Sequence, residues 1–191
     1  MSEKHKTVTP EEAQQWFEYF ALRKDMAPAF NWNGCFARAH LICSVMQAHG
    51  LDTRKIWVAS DMETPRQAEK MDVIFHVAPC LMVVGKNGTA KPVVIDPVFY
   101  PRPVSPKVWT KGMKATQFLI TDCANPQEDR YYWNEKYKRS AAMRDQQTND
   151  TLSHAYAFSM IHHLKPRRWV TRIRKEKSLA LVPMPNMTGT P

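Results

Sequence analysis

The strongest constraint on how this chain folds is a pair of strand-like segments joined by a short turn. Residues 73–84 (VIFHVAPCLMVV) and 92–96 (PVVID) are rich in the β-branched residues that favour strands. Residues 85–88 (GKNG) between them have the composition of a tight turn. The sequence therefore predicts an antiparallel hairpin. Because Pro79 lacks the N–H that a strand donates to its neighbour, we expect a bulge or a sheet edge there.

Two helices are predicted to precede the hairpin. Thr9, Pro10 and Glu12 have the spacing of an N-cap, a first-turn proline and a capping box. The apolar face of this first helix consists of Ala13, Trp16, Phe17, Phe20 and Ala21. A second helix is predicted over residues 35–49, with Gly50 as its C-terminal cap. Its inward face consists of Ala39, Ile42, Val45 and Met46.

The rest of the chain carries shorter patterns. They predict strands at residues 55–59, 116–121 and 179–182, a helix at 151–164, a helical or irregular stretch at 128–144, and an extended proline-rich connection at 97–108. Helices, then an antiparallel sheet, then more helix make an α+β fold. A chain of 191 residues suits one domain, so we expect residues 1–191 to form a single domain with loose tails at 1–8 and 183–191.

The chain is strongly basic. Its 27 lysines and arginines against 18 acidic residues give a net charge of +9, and residues 165–177 (KPRRWVTRIRKEK) contain a single acid. Such a segment can contact nucleic acid, an anionic membrane or an acidic protein, or it can be the solvated face of an ordered element. Trp169, Val170 and Ile173 interrupt the charges, which favours an ordered element.

The apolar runs and the cysteines bear on the compartment. No apolar run approaches the roughly 20 residues of a membrane-spanning helix, and the N-terminus shows no apolar signal core. We therefore expect a protein made in the cytoplasm, with export by a signal-independent secretion system left open. The four cysteines show no CxxC spacing and are too few for a disulfide scaffold, so reduced thiols are expected. The separations of His40, Cys43, His76 and Cys80 match no common zinc pattern, and we expect no metal.

One of these cysteines stands where a loop enters the second predicted helix. In Asn33-Gly34-Cys35, the thiol would lie beside unpaired backbone N–H groups and the positive end of the helix dipole. Both favour the thiolate and therefore lower the pKa of Cys35. The same N–H groups could hold the oxyanion of a tetrahedral intermediate, and Gly34 leaves room for a substrate to approach.

The hairpin supplies a base and a carboxylate for this thiol. His76 precedes the turn and Asp96 follows it, and their midpoint falls inside the turn. The two side chains are therefore predicted to lie nearly opposite each other, about 5 Å apart at Cβ. Asp96 can then hold the imidazole while the other ring nitrogen faces Cys35. Each residue alone has an ordinary role in a core or a turn, and only their joint placement favours catalysis.

Three motifs resemble those of a known family. Residues 33–40 (NGCFARAH), 75–78 (FHVA) and 94–97 (VIDP) are similar to the nucleophile, histidine and aspartate segments of the bacterial protein-glutaminase family, which deamidates protein-bound glutamine. The three motifs occur in the order and at the intervals that this family shows. The resemblance implies a fold related to the transglutaminase core and to papain-like enzymes, with the catalytic cysteine at the N-terminus of a helix that packs on an antiparallel sheet.

The resemblance also implies how the residues are used. Cys35, His76 and Asp96 would form a catalytic triad that hydrolyses the glutamine carboxamide and releases ammonia, without a cofactor. From their positions alone, the residues expected to border the substrate channel are Phe30, Trp32 and Asn33. Those expected to support the fold without touching substrate are Arg38 and His40. The partner would be a protein that presents glutamine side chains.

This chain differs from the secreted members of the family. Secreted members carry a signal, a pro-segment and several disulfides, which this chain does not show. The difference favours a bacterial effector or toxin that deamidates proteins of a target cell and that has an inhibitor or immunity protein as partner.

Alternative functions stay open. A transglutaminase-type acyl transferase or a cysteine protease would use the same triad. A non-catalytic module with residues 165–177 as its contact surface is the alternative from another class. For the enzyme, no membrane span is expected, and nucleic acid is not expected as a partner.

Overall fold

The computed structural model of the chain describes residues 6–23, 34–59, 75–115 and 118–123, together with positions 146, 150, 151, 153, 168 and 171–173. The predictions for residues 128–144 and 179–182 and for the tail at 183–191 lie outside the described residues. Only two positions of the helix predicted at 151–164 lie inside them.

The described helices and strands follow the predicted α+β order. They are α1 (Pro10–Leu22), α2 (Gly34–Ala48), β1 (Thr53–Ala59), β2 (Phe75–Val84), β3 (Ala90–Val94), α3 (Pro106–Gly112) and β4 (Leu119–Asp122). The strands form one antiparallel sheet in the order β3-β2-β1-β4. The predicted fold class is confirmed, although β3 and β4 are displaced from the predicted ranges 92–96 and 116–121. None of the helices in the described segments is long and apolar enough to cross a membrane.

The capping box predicted at the start of α1 is confirmed. The Thr9 backbone N–H donates to Glu12 Oε2 at 2.7 Å, and the Glu12 N–H donates to Thr9 Oγ1 at 3.2 Å. Pro10 occupies the first turn, where its missing N–H costs no helical hydrogen bond. All five residues predicted for the apolar face are buried, so this face anchors α1 in the core.

The second helix packs on one face of the sheet. It ends before Gly50, whose φ of 73° is the left-handed conformation predicted for the C-terminal cap. On this face Trp57 of β1 packs in a cluster with Cys35 of α2. Its chain neighbour Ile56 points to the opposite face, where it packs in a cluster with Trp109 of α3. The sheet therefore separates the α2 side of the molecule from the α3 side.

The N-terminal segment is more ordered than predicted. Lys6 N–H donates to Gly50 O at 2.8 Å, Val8 N–H donates to Met82 O at 3.0 Å, and Val84 N–H donates to Val8 O at 2.8 Å. The prediction of a loose tail over residues 1–8 is therefore wrong for 6–8. The reason is that β1 does not extend alongside the last residues of β2, whose backbone groups bond to this segment instead.

The predicted hairpin forms, but its register differs from the prediction. Cys80 pairs with Val94, the last residue of β3, so Asp96 lies two residues beyond the strand. The same register continued past the strand would place Asp96 opposite Ala78 and not opposite His76. Direct cross-strand pairing of the histidine with the aspartate is therefore wrong.

The hairpin loop and Pro79 explain where β3 ends. Gly85 N–H donates to Thr89 O at 3.0 Å, and residues 85–89 join β2 to β3, which begins at Ala90 and not at Pro92 as predicted. Pro79 pairs with Lys55 of β1 in an uninterrupted ladder of an inner strand, which rules out the expected bulge or edge position. Its carbonyl accepts from Ile95 N–H at 2.9 Å. Because Pro79 has no N–H to return this bond, the ladder between β2 and β3 stops here.

A short helix replaces part of the extended connection predicted at 97–108. Ser105 is its N-cap, and its side chain accepts from Val108 N–H at 3.4 Å. Pro106 is the first helical residue. The prediction is wrong from this residue onward, because proline indicates an extended chain in a loop but also favours the first turn of a helix. This helix, α3, places Trp109 against the sheet.

Four positions of the basic segment 165–177 are described. Arg168, Thr171 and Arg172 are exposed, and Ile173 is buried in the core cluster that contains α1. At these positions the segment has the predicted arrangement, in which apolar residues anchor an ordered element and the charges face solvent.

Candidate active site

Cys35 is the second residue of α2, at the end of the helix where backbone N–H groups lack intrahelical acceptors. Its side chain is hydrogen-bonded to His76 and to the backbone of Val77. Only 8% of the residue is exposed, so the thiol faces β2 and not bulk solvent. The predicted location of Cys35 at a helix N-terminus is confirmed.

His76 lies between Cys35 and Asp96. Its Nε2 atom is 3.1 Å from Asp96 Oδ2, and the imidazole also shares a hydrogen bond with Cys35. Because Nε2 is used by Asp96, the other ring nitrogen is left for the thiol. The structure therefore brings the three predicted residues together as a continuous thiol–imidazole–carboxylate chain of hydrogen bonds.

Asp96 reaches His76 from a turn that follows β3. Its Oδ1 accepts from Val98 N–H at 3.3 Å, which is the side-chain-to-backbone bond of an Asx-turn. Its carbonyl oxygen accepts from the N–H groups of Phe99 and Tyr100 at 3.2 and 3.0 Å. The chain therefore bends immediately after β3 and places the carboxylate next to the first residues of β2, where His76 lies.

Two aromatic side chains enclose the imidazole. The Trp109 ring stacks on His76 with centroids 5.4 Å apart and an interplanar angle of 25°, while Phe99 meets it edge-on at 4.9 Å and 72°. Trp109 is completely buried, whereas Phe99 is 39% exposed. The indole nitrogen of Trp109 also donates to Asp96 Oδ2 at 2.9 Å. Neither aromatic residue was predicted from the sequence to belong to the site. For Trp109 the available signal was the Ser105-Pro106 helix start.

Arg38 is the cation of the site. It lies one helical turn after Cys35, is only 7% exposed, and lines the same small cavity as Cys35, His76 and Asp96. Its charge acts on both Cys35 and Asp96. We expected Arg38 to support the fold without touching substrate; the structure places it in the wall of the cavity, and the expectation about substrate stays a prediction. The signal was its spacing of three residues from Cys35, which puts both on one helix face.

The thiol and the imidazole stabilise each other's charged forms. Burial disfavours ionisation of Cys35, but the hydrogen bond and charge of His76, with the charge of Arg38, lower its pKa below the ordinary 9.0. Burial likewise disfavours the cationic form of His76, yet its hydrogen bonds to Asp96 and Cys35 raise its pKa from 6.5 to about 9. Each group therefore shifts the pKa of the other toward the charged pair of thiolate and imidazolium, and the thiolate is the nucleophilic form of cysteine.

Asp96 stays ionised in this buried position. Burial tends to raise its pKa, but the hydrogen bonds from His76 and Trp109 and the charges of His76 and Arg38 lower the pKa below its usual 3.8. An ionised carboxylate accepts hydrogen bonds only, so Asp96 favours the tautomer of His76 that carries a proton on Nε2.

The three residues predicted to border the substrate channel lie outside the described residues and stay predictions. They are Phe30, Trp32 and Asn33.

The helix that bears Cys35 and the antiparallel sheet beneath it belong to a fold that solved structures share. The NMR structure of protein-glutaminase from Chryseobacterium proteolyticum superposes with a TM-score of 0.52 at 16% identity, over 77% of this chain and 86% of that one. A crystal structure of pro-protein-glutaminase superposes with a TM-score of 0.53 at 19% identity, over 82% of this chain and 61% of that one. A search among curated proteins finds no match.

The sequence model of the family described as Glutaminase matches residues 13–113, which is more than half of the chain. The match includes Cys35, His76 and Asp96 as well as Trp109. The chain belongs to the protein-glutaminase family, and it is a protein-glutamine deamidase.

Proposed function

We propose that this enzyme hydrolyses the side-chain carboxamide of protein-bound glutamine with Cys35 as nucleophile, His76 as general acid and base, and Asp96 as the residue that orients His76. The observation that carries the proposal is the position of His76, whose imidazole bonds to the thiol and to the carboxylate at once. A nucleophile, a base within hydrogen-bond reach and a third group that orients the base are the components that acyl transfer through cysteine requires.

In the first half of the reaction, the Cys35 thiolate attacks the carboxamide carbon of glutamine. The carbonyl electrons move onto oxygen, and the resulting tetrahedral intermediate collapses as the C–N bond breaks. His76 donates its proton to the departing nitrogen, which leaves as ammonia, and a thioester to Cys35 remains. A pKa of about 9 keeps His76 protonated at neutral pH, so this acid is ready before substrate binds.

The start of α2 is suited to hold the oxygen of the intermediate. Cys35 is the second residue of this 15-residue helix, so its own N–H and those next to it have no carbonyl acceptor within the helix. These donors and the positive end of the helix dipole favour negative charge at this place. We propose that they stabilise the oxyanion during both halves of the reaction.

In the second half, water attacks the thioester. His76 is now neutral and takes a proton from the water as the new C–O bond forms, and the resulting tetrahedral intermediate collapses as the C–S bond breaks and the thiolate of Cys35 leaves. Asp96 holds Nε2 throughout, which keeps the other ring nitrogen directed at the reacting atoms. The sum of both halves is carboxamide and water converted to glutamate and ammonium, with the enzyme unchanged.

The test measures ammonia release from a glutamine-bearing protein and follows the substrate by mass spectrometry. The enzyme should release ammonia and add the mass of one deamidation at glutamine, and Cys35→Ala should lower the rate by roughly 10⁴-fold or more. Cys43→Ala is the matched control, because Cys43 is a buried cysteine of the same helix that does not line the cavity. Full activity in Cys35→Ala would refute the proposal.

The same assay separates the alternatives. With a labelled primary amine present, transglutaminase-type transfer incorporates the label into the substrate, whereas hydrolysis releases ammonia without incorporation. A cysteine protease instead cleaves the substrate backbone. A binding module would retain its binding after Cys35→Ala and lose it after charge reversal of exposed arginines such as Arg168 and Arg172. Hydrolysis at glutamine is the outcome we expect.

We also propose that the enzyme is a bacterial effector or toxin that acts on proteins in the cytosol of a target cell. The support is in the sequence, whose four cysteines do not have the spacing of a disulfide scaffold. Cytosolic expression of the enzyme should slow growth, and Cys35→Ala should not. An inhibitor or immunity protein of acidic character, which would complement the net charge of +9, should restore growth when co-expressed. Normal growth with abundant active enzyme would contradict the toxin role.

A further inference from the structure

Trp109 contacts two members of the proposed triad through two different parts of its side chain. Its indole N–H donates to Asp96 Oδ2 at 2.9 Å, and its ring stacks on His76 with centroids 5.4 Å apart. The residue is completely buried, so both contacts are shielded from water. A buried tryptophan needs one acceptor for its N–H, and here that acceptor is the carboxylate that holds His76.

The N–H of Trp109 completes the set of donors around Asp96. Oδ2 accepts from His76 and from Trp109, and Oδ1 accepts from Val98 N–H at 3.3 Å. Donors on both oxygens keep the carboxylate from rotating about its terminal bond. They also favour its ionised form, since hydrogen bonds to a carboxylate stabilise the charge. Without the indole donor, Oδ2 would be held by His76 alone among the described side chains.

The ring of Trp109 limits the motion of the imidazole. With an interplanar angle of 25°, the indole covers one face of His76, and Phe99 meets the ring edge-on at 4.9 Å. The imidazole must keep one nitrogen on Asp96 while the other exchanges protons with Cys35 and the substrate. A flat wall against its face opposes rotation about χ2 and therefore maintains this alignment.

Trp109 is itself held rigidly. Its helix begins at the Ser105 N-cap, and the Tyr100 hydroxyl donates to the carbonyls of Val108 and Trp109 at 3.0 and 3.3 Å. The segment before the helix is joined to the end of β3, because Val94 N–H donates to Val104 O at 2.7 Å. The indole is therefore tied to the same turn that carries Asp96.

We propose that Trp109 is a positioning residue of the deamidation site, which fixes Asp96 through its indole N–H and His76 through its ring. This inference rests on the proposed function, in which His76 must serve Cys35 as acid and then as base. Trp109 does not contact the reacting atoms; it acts through the two residues that it touches.

The variant Trp109→Phe removes the N–H and leaves an aromatic ring to stack. We expect kcat to fall roughly 10- to 100-fold with KM unchanged, which is the loss that corresponds to one hydrogen bond to a charged group. We also expect the midpoint pH of Cys35 alkylation by iodoacetamide to rise by about one unit, because a poorly held imidazolium stabilises the thiolate less. The other charged or titratable groups that act on Cys35 and Asp96, Arg38 and Tyr100, are unchanged in this variant.

Trp16→Phe is the matched control, since Trp16 is an equally buried tryptophan in the α1 core and does not touch the triad. It should leave kcat and the alkylation midpoint at their wild-type values. If Trp109→Phe also leaves both values unchanged, the positioning role is refuted. If Cys35→Ala retains deamidation, the proposed function fails. The alkylation midpoint of Cys35 in Trp109→Phe, which requires no turnover, then still tests whether Trp109 positions His76.

A second measurement does not depend on the folding of Trp109→Phe. In ¹⁵N-labelled enzyme, the indole N–H signal of Trp109 should shift strongly when Asp96→Asn removes the charge of its acceptor, and that of Trp16 should stay in place. A Trp109 signal that does not respond to this change would also overturn the inference.

Discussion

His76 Nε2 lies 3.1 Å from Asp96 Oδ2, although the two residues are not cross-strand neighbours. The contact forms because Pro79 cannot return the hydrogen bond from Ile95, so β3 stops and the chain turns across the end of β2. The first residues of β2, which include His76, therefore have no β3 partner. Cys35 of α2 lines the same cavity as His76 and Asp96 at this end of the strand.

The ionisation of Cys35 and His76 predicts a bell-shaped pH profile for kcat/KM. Activity should first rise with pH as the thiol of Cys35 loses its proton, and this limb should lie below the ordinary pKa of 9.0 because the pKa of Cys35 is lowered. It should fall again near pH 9, where the imidazolium of His76 loses the proton that the leaving group needs. Initial rates at subsaturating substrate between about pH 4 and 10 give this profile. A falling limb near pH 6.5 would contradict the stabilised imidazolium.

Asp96→Asn tests the orienting role of the carboxylate. The amide keeps the size of the side chain but removes its charge, so His76 loses the partner that raises its pKa. We expect kcat to drop by roughly 10²-fold or more and the falling limb of the pH profile to move toward lower pH. Circular dichroism should show a native fold. Wild-type kcat in this variant would assign catalysis to residues other than the triad.

Replacing Arg38 tests the buried cation beside the nucleophile. Arg38→Met keeps a long side chain and removes a charge that lowers the pKa of both Cys35 and Asp96, so Cys35 alkylation should require a higher pH. Arg38→Lys retains a positive charge and should stay closer to wild type. The pH dependence of iodoacetamide labelling, followed by peptide mass mapping, measures the difference. Equal midpoints in all three proteins would show that Arg38 only fills space.

The capping box of α1 predicts a stability effect separate from catalysis. Thr9→Ala removes the side-chain acceptor of Glu12 N–H and should lower the free energy of unfolding by about 1 kcal/mol. Thr9→Ser, which keeps the hydroxyl, is the control and should retain most of the stability. Urea denaturation measures both variants. Since no residue of α1 lines the cavity, kcat should be unchanged.

The contact between Cys43 and Cys123 predicts a site of oxidation. Their sulfur atoms are 3.0 Å apart, which joins α2 to the end of β4. Incubation with glutathione disulfide should convert the two thiols to a disulfide with release of two reduced glutathiones, so the protein loses the mass of two hydrogens. Cys123→Ser should prevent this change. The crosslink should raise Tm, since it closes a long loop of the unfolded chain. Persistent glutathione adducts without a crosslink would contradict the prediction.

The local features of the site were accessible from the sequence because each depends on a few neighbouring residues. The Thr9–Glu12 capping box and the left-handed Gly50 were predicted from residue types alone, and both are present. Cys35 at the start of a helix follows from a Gly at a loop-to-helix boundary. The hairpin pattern and the family resemblance both indicated His76 and Asp96 as the partners of Cys35, and these are the residues that lie together.

What the sequence did not predict depends on contacts between distant segments. Val8 is ordered because its backbone forms hydrogen bonds with Met82 and Val84 of β2, and nothing within its own segment indicates this. No element was predicted at Trp109, yet it lies on a helix whose burial against the sheet decides its conformation. The sequence did not indicate that the charge of Arg38 acts on Asp96, because the proximity of these two residues depends on how α2 packs over β2.

The sequence by itself determined α1, α2 and the hairpin, the nucleophile's place at a helix start and the three residues of the candidate triad, because capping, periodicity and motif spacing act over short stretches of chain. Only the tertiary structure decided the hairpin register, the turn that brings Asp96 to His76, and the positions of Arg38 and Trp109 beside them. The physical reason is that these arrangements are selected by pairing and burial between segments far apart in the chain, whose free energies no local pattern contains.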